Sequence, residues 1–325
     1  MTSLTSFDDG REFTSSLDGN SQKTRMEWHG AVYIVKYGNP LEPDPSRPLQ
    51  GSYNHSPLSE FLGSRIFSEL GIPAQEVVLG TLHGREVVAC KDFTIGAPVD
   101  VGLVQFRSLE NAMISSSARG QSPRLEDIEK VIEEHPFLRD IRQEARDRYW
   151  DTFVVDAIIG NFDRHSGNWG YLAERDPRTN GFLPAISPAP VFDCGSSLAP
   201  RLSEDAMERL AGDQRELARR ARSFPRAKLI VSEGKGNVMY HEFLLSQGGA
   251  DARAALLRLL PRIDALDIGS LVNSAPGISQ VRAHFLEQMI RSRISAIIDP
   301  ARALAAAENL NPDDRPPNAG HGPHR

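Results

Sequence analysis

The chain has 325 residues, of which 40% are hydrophobic and 25% charged, a composition typical of a globular protein with room for two lobes or domains. No run of about 18 apolar residues occurs and the first residues are polar, so we expect a soluble, cytoplasmic protein without a membrane span or secretory signal. The net charge of −6 and two isolated cysteines argue against a nucleic-acid surface, a disulfide framework and a zinc site.

A small, polar, glycine-containing segment at residues 15–24 precedes a clear strand pattern at residues 31–37. Glycine lets backbone amides approach phosphate oxygens, and a lysine on the following strand can reach the same oxygens. This order predicts a phosphate-binding lysine, Lys36, and a nucleotide-binding loop. The loop residues are Gly19, Asn20, Ser21, Gln22 and Lys23. The alternative is a surface hairpin whose lysine faces water.

Residues 38–57 contain five prolines and few apolar residues, which predicts a long loop with little reason to order by itself. Residues 58–70 then show an apolar helical face that stops at a Gly-Ile-Pro sequence. Glu60 in this helix is a candidate partner of Lys36 in the catalytic machinery. The alternative is an exposed glutamate that the helix dipole favours in the first turn.

Two strand patterns at residues 76–80 and 85–90 predict a hairpin that completes an N-terminal sheet. The chain leaves this hairpin through Cys90, Lys91 and Phe93, which are candidates for binding the nucleotide base through the backbone. We expect both Cys90 and Cys194 to be reduced thiols in buried positions. Residues 98–121 have no regular pattern and predict an irregular segment.

A short helix is predicted at residues 125–134, and a long one follows it, because apolar residues recur every four positions from Ile141 to Ala157. Gly160 marks the helix end, where the chain can turn out through a left-handed conformation. The next residues are mostly polar. A rigid, buried helix is therefore expected to present a polar loop.

Two residues of this loop have the spacing of a phosphotransfer site. Phosphoryl transfer needs an aspartate to orient the attacking hydroxyl and an amide oxygen a few residues later to bind Mg²⁺. Asp163 is the candidate base and Asn168 the candidate metal ligand, with Asp193 as a second metal ligand after an apolar strand. The alternative is a solvated loop, since such a spacing also arises by chance.

The remainder of the chain is predicted to be mainly helical. A hairpin formed by residues 169–173 and 181–186 separates Asn168 from Asp193. Helices are predicted at residues 204–223, 241–247, 251–260 and 279–307. Arginines between Arg215 and Arg226 are interpreted as a solvated helix face or a patch for an acidic partner. Residues 309–325 are rich in proline and are predicted to be a disordered tail.

From residue 10 to residue 305 these motifs resemble the HipA-like serine/threonine kinases. The motifs are residues 16–24, Lys36, Glu60, residues 88–93, residues 161–168, and Phe192 with Asp193. The resemblance implies an α+β, bilobal protein-kinase-like fold that uses ATP and Mg²⁺. It predicts a small β-rich lobe at residues 1–93 and a larger helical lobe at residues 94–308.

The chain is short for a full-length HipA and is similar to the compact HipT and CtkA type. This resemblance implies the toxin of a toxin–antitoxin module, a separately encoded antitoxin, and a translation-related protein target such as an aminoacyl-tRNA synthetase. It also implies that Ser16 is autophosphorylated, with Ser21 as the second candidate. No direct binding of nucleic acid or membrane is expected.

Two other functions are compatible with the same residues. Phosphoinositide-type kinases also carry Asp-Arg-His-x-x-Asn in this loop, so a lipid or small-molecule kinase is one alternative. The chain has no evident basic or amphipathic stretch for a membrane, which argues against a lipid substrate. The other alternative is a pseudokinase or binding module, which would require the loss of a catalytic group, and none of the expected groups is missing.

Overall fold

The structure is a computed structural model that describes residues 3–13, 23–96, 100–114, 123–179, 181–231 and 236–309. Most of the predicted phosphate loop, Gly19 to Gln22, lies outside these residues, together with Ser16. Residues 310–325 of the predicted tail also lie outside them, whereas Asn309 ends the last helix.

The described strands are β1 Thr5–Ser6, β2 Arg11–Phe13, β3 Lys23–Trp28, β4 Ala31–Tyr37, β5 Asn39–Pro40, β6 Tyr53–Asn54, β7 Val77–Leu82, β8 Arg85–Lys91, β9 Val101–Gln105, β10 Gly170–Glu174 and β11 Ser187–Pro188. The described helices are α1 Ser56–Glu69, α2 Phe106–Met113, α3 Leu125–Glu134, α4 Arg142–Ile159, α5 Glu204–Gly212, α6 Gln214–Ser223, α7 Tyr240–Leu245, α8 Ala250–Ala265, α9 Ile268–Asn273, α10 Gln280–Arg293 and α11 Asp299–Asn309. A π-helical turn, Ile294–Ile298, joins α10 to α11.

The N-terminal part is a six-stranded sheet in the order β1-β7-β8-β4-β3-β2. The predicted strand β4 lies inside it, and the alternating residues Tyr33, Val35 and Tyr37 are buried. Helix α1 packs on β7 and β8. The helix is buried on more than its apolar face, because it also contacts α4 and α9. Glu60 is therefore 1% exposed and is not a solvated first-turn residue.

Two segments that lack a local pattern are ordered, and the expectation of an irregular segment at residues 98–121 is wrong. Residues 38–57 are mainly a long loop, as predicted, but the short β5–β6 pairing closes it, and the amides of Gly51 and His55 donate to the carbonyls of Arg201 and Pro200, both at 2.8 Å. Residues 98–121 include β9 and α2, and β9 pairs with β10. Both segments are ordered by partners that are distant in sequence, so local composition does not report their structure.

Two expected elements have different bounds. The second strand of the predicted hairpin at 181–186 is replaced by an isolated bridge from Arg175 to Phe182 and by β11 at Ser187–Pro188. The predicted helix 204–223 is divided into α5 and α6, because the side chain of Asp213 caps α6 by accepting from the amides of Arg215 and Glu216.

The C-terminal part is organised around α4, which packs against α8, α10 and β11. Its aromatic core joins α4 to α7, with Trp150 stacked on Phe243 at 5.5 Å between ring centroids. The helix ends at Gly160, which has the predicted left-handed conformation at φ +65°. None of the helices in the described ranges is long and apolar enough to cross a membrane.

Candidate active site

Lys36 of β4 is held between two carboxylates. Its Nζ lies 3.1 Å from Glu60 Oε2 and 3.0 Å from Asp193 Oδ1. Burial alone would lower the pKa of Lys36, but the two carboxylates outweigh it, so the pKa lies well above its usual value. The lysine therefore carries a fixed positive charge. Lys23 is its cross-strand neighbour in β3, which brings the end of the predicted phosphate loop beside it.

The loop that carries Asp193 is fitted closely against α1. The amide of Gly195 donates to Glu60 Oε2 at 2.8 Å. A Cβ on Gly63 of α1 would lie 2.6 Å from the Cβ of Cys194, so glycine is needed for this approach. Asp193 itself has a left-handed backbone at φ +62°, which is uncommon for a residue other than glycine. Such strain persists only where the surrounding contacts impose it.

The carboxylate of Asp193 is ionised. The nearby charge of Lys36 lowers the pKa of Asp193 to about 2, against an opposing effect of burial, and Lys23 and Arg164 add to the decrease. Its side chain remains 37% exposed. An ionised, accessible carboxylate suits a divalent cation.

The loop after α4 is held by a chain of hydrogen bonds that begins inside the core. Asn161 Nδ2 donates to Asp156 Oδ1 at 3.1 Å, and Asn161 Oδ1 accepts from the amide of Asp163 at 3.0 Å. Asn168 Nδ2 donates to the carbonyl of Asp163 at 2.8 Å, which closes the loop. His165 Nδ1 accepts from the amide of Gly167 at 3.0 Å, so it supports the turn.

Arg164 is a structural centre that the sequence analysis did not identify. It forms a two-point ion pair with Asp156, with Nε 2.9 Å from Oδ2 and Nη2 3.1 Å from Oδ1. Its Nη1 donates to the carbonyls of Asn168 and Phe192. One buried guanidinium therefore joins α4, the polar loop and the Asp193 loop. A run of polar loop residues gives no signal of which one turns inward.

Segments distant in sequence also support the polar loop. Gln105 Nε2 donates to the carbonyl of Gly167 at 2.9 Å, and the amide of Arg107 donates to the carbonyl of Ser166 at 2.9 Å. These contacts come from β9 and α2, which were expected to be irregular. On the other side Lys228 Nζ lies 3.7 Å from Asp163 Oδ1, a second contact that the sequence analysis missed.

The predicted base-binding stretch at Cys90–Phe93 is largely engaged within the protein. The amides of Lys91 and Asp92 donate to the carbonyls of Glu76 and Val32, each at 2.8 Å. Cys90 is a buried free thiol, as is Cys194, and burial raises the pKa of both. Phe93 is only partly buried, and its ring lies 6.1 Å from that of Phe192. Its side chain is therefore more accessible than that of Cys90.

The donor groups fit a magnesium–phosphate complex. The amide nitrogen of Asn168 is occupied by Asp163, so its oxygen is the group available to a metal. The described residues contain no group of three or more His, Cys, Asp or Glu side chains suited to a metal ion. One carboxylate and one amide match Mg²⁺, which usually takes few protein ligands and completes its shell with water and phosphate.

A sheet with an ion-paired lysine, joined to a helical part that presents an aspartate loop, is the arrangement of a kinase-like phosphotransferase. The model of the HipA-like C-terminal domain matches residues 15–241, and the chain belongs to this family. The serine/threonine-protein kinase CtkA of Helicobacter pylori (strain J99) is 34% identical over 291 residues, covering 90% of this chain and 85% of that protein.

A solved structure agrees with this assignment. The crystal structure of the Helicobacter pylori proinflammatory kinase CtkA matches with a TM-score of 0.79 and 31% identity, covering 94% of this chain and 100% of that chain. Shewanella oneidensis HipA, solved with HipB and operator DNA, is 13% identical with a TM-score of 0.48, covering 89% of this chain and 67% of that chain. The chain is thus a serine/threonine kinase with a kinase-like α+β fold, as its sequence predicts.

Proposed function

We propose that this kinase transfers the γ-phosphoryl group of ATP to a serine or threonine of a protein, with Mg²⁺ as the metal. The observation that carries the proposal is the ion-paired ammonium of Lys36, within 3.1 Å of both Glu60 and Asp193. A fixed cation beside an ionised metal ligand is the arrangement that positions a nucleotide triphosphate. Lys36 would bind phosphate oxygens, and Glu60 would hold it in place.

Asp163 would act on the acceptor. Its side chain is 39% exposed, while its amide is fixed by Asn161, so the carboxylate can meet an incoming hydroxyl from a defined position. It would orient the hydroxyl and accept its proton as the oxygen attacks the γ-phosphorus. The bond between the γ-phosphorus and the bridging oxygen breaks, and ADP leaves.

Asn168 and Asp193 would hold Mg²⁺ through one amide oxygen and one carboxylate. The metal, when bound, neutralises charge on the transferred phosphoryl group. Arg164 contacts the carbonyls of Asn168 and Phe192, so it fixes the two ligand-bearing loops relative to one another. The side chain of Phe93 would contact the nucleobase. The predicted contacts of Cys90 and Lys91 with the nucleotide would be less important.

We further propose a toxin role, with a separately encoded antitoxin and a translation-related protein such as an aminoacyl-tRNA synthetase as the target. Membership in the HipA-like family supports this role.

The predicted phosphate loop would close over the nucleotide, and phosphorylation of Ser16 would add roughly −1.5 to −2 charges beside the triphosphate and open the loop. Mass spectrometry of wild type and Asp163→Asn tests this, because phosphate should occur on Ser16 only in the wild type.

The decisive experiment is incubation of the purified protein with [γ-³²P]ATP, Mg²⁺ and a lysate of its host. We expect labelled protein bands with the wild type and none with Asp163→Asn. Label that moves into the lipid extract instead would show a lipid kinase. Nucleotide binding without transfer to any acceptor would show a binding module.

A further inference from the structure

We infer that Lys228 is a second phosphate-binding cation, located on the acceptor side of the site, and that its ammonium contacts the phosphoryl group during transfer. The inference rests on the proposed function, in which Asp163 receives the acceptor hydroxyl. Lys228 is 65 positions after Asp163 in the sequence, yet its Nζ lies 3.7 Å from Asp163 Oδ1. It belongs to no motif in the sequence analysis.

The backbone around Lys228 is fixed. The amide of Ala227 donates to the carbonyl of Val238 at 2.9 Å, and the amide of Val238 donates to the carbonyl of Leu229 at 2.8 Å. Ala227 and Leu229 are buried, whereas Lys228 lies at a bend between them and is exposed, so its side chain stands on the solvent side of this segment. Burial of its two neighbours thus aims the lysine at Asp163.

The side chain of Lys228 is available, in contrast to those of Lys36 and Arg164. Lys36 is held by two carboxylates, and Arg164 is buried against Asp156. Lys228 is 39% exposed, and its 3.7 Å separation from Asp163 is longer than a normal hydrogen bond. Its ammonium can therefore turn from the carboxylate to a phosphate oxygen without breaking a strong contact.

The positive charge of Lys228 would favour the reaction. The carboxylate of Asp163 and the incoming phosphoryl group are both negative and repel each other as they approach. A cation beside Asp163 reduces this repulsion and stabilises charge where it develops. The acceptor oxygen forms a bond to the γ-phosphorus, its proton passes to Asp163, and the bond to the bridging oxygen breaks with release of ADP.

The test compares Lys228→Met, which removes the charge at similar length, with Lys228→Arg, which retains it. Lys130→Met is the matched control, because Lys130 lies exposed on α3. Transfer from [γ-³²P]ATP with Mg²⁺ is measured to the protein itself and to dephosphorylated casein. The ATP dependence gives kcat and KM separately, and thermal unfolding reports the fold.

We expect Lys228→Met to lower kcat by about ten- to a hundred-fold, in line with the loss of one charge-stabilising group. The KM for ATP should change less than about threefold, since a group that acts in the transition state alters kcat rather than ground-state binding. Lys228→Arg should recover much of the loss, and Lys130→Met should match the wild type.

Three results would overturn the inference. They are a Lys228→Met enzyme with normal kcat, a higher KM with unchanged kcat, and a lowered unfolding temperature that Lys228→Arg does not restore. The last would identify a purely structural clamp. Asp163→Asn, assayed in parallel, separates the two proposals. If it retains normal transfer, the proposed role of Asp163 fails, whereas normal transfer by Lys228→Met alone rejects only the role of Lys228.

Discussion

Glu60 Oε2 lies 3.1 Å from Lys36 Nζ and also accepts a hydrogen bond from the amide of Gly195 at 2.8 Å. One buried oxygen thus joins α1, β4 and the loop that carries Asp193. Because α1 also packs on the sheet and on α4, the position of the helix sets the position of the lysine. The pair is buried and therefore differs from a surface ion pair of small effect.

Glu60→Gln should reduce kcat/KM for ATP by at least about tenfold, because Lys36 loses one of its two charge partners and is drawn to Asp193, where it competes with the metal. Steady-state phosphorylation at varied ATP measures the effect. Glu69→Gln in the exposed last turn of the same helix is the control and should behave as wild type. If the two variants have equal kcat/KM for ATP, Glu60 does not contribute to the use of the nucleotide.

Asp193→Asn should remove the metal dependence of nucleotide binding, because an amide lacks the charge that holds Mg²⁺ against the phosphates. Calorimetric titration with ATP in Mg²⁺ and in EDTA measures this. Wild type should bind more tightly with Mg²⁺, and the variant should bind with similar affinity in both buffers. Asp205→Asn, which changes an exposed residue of α5, is the control. A variant that still gains affinity from Mg²⁺ would refute the ligand assignment.

Arg164→Lys should destabilise the protein by about 2–4 kcal/mol, since a lysine cannot reproduce the two-point pair with Asp156 and also reach two carbonyls. Activity should fall with stability, because the same group ties the Asn168 and Asp193 loops. Urea unfolding and transfer assays check both effects. Arg139→Lys, which alters an exposed pair with Asp140, should change neither. A stable but inactive Arg164→Lys would point instead to direct contact with substrate.

Local patterns predicted the elements whose burial follows a simple period. The alternation in β4 and the spacing of four in α4 each report one buried face, and Gly160 marks a helix end that needs a left-handed residue. These features located Lys36 and Asp163, whereas the fold class followed from the resemblance of the motifs to the HipA-like kinases. The local patterns depend only on neighbours in the sequence.

Contacts between distant segments could not be predicted in this way. β9 is ordered by β10, which follows it by more than sixty residues, and the segment that carries Lys228 is held by backbone hydrogen bonds between Val238 and the two neighbours of the lysine. The hydropathy patterns of residues 98–121 and 224–231 do not indicate which distant segments these residues contact. In the sequence Arg164 is likewise one polar loop residue among several. Its side chain turns inward because it pairs with Asp156 in the core, and this contact has no local signal.

Glu110 on α2 provides a pH-dependent test of the support behind the polar loop. Its side chain is 1% exposed, and α2 bonds the loop through the amide of Arg107 and the carbonyl of Ser166. Burial raises the pKa of Glu110 from 4.5 to about 7, against a smaller opposing effect of the Ser166 hydroxyl, and Asp127 adds to the increase. The folded state therefore favours the neutral acid.

The sign follows from proton binding. Between pH 4.5 and about 7 the folded protein holds the proton on Glu110 and the unfolded chain has released it, so this group lowers stability as pH rises. Glu110→Gln keeps a neutral side chain at every pH. Its stability relative to wild type should therefore increase across this window, by on the order of 3 kcal/mol.

Urea unfolding of wild type and Glu110→Gln at a series of pH values measures this difference. Glu208→Gln on the exposed face of α5 is the control and should track the wild type throughout. Parallel curves for Glu110→Gln and wild type would mean that the carboxyl is already ionised in the folded protein. A growing difference would instead show that Glu110 is a neutral acid in the folded protein. Because α2 supports the loop that carries Asp163, ionisation of Glu110 above neutral pH is then expected to weaken this support.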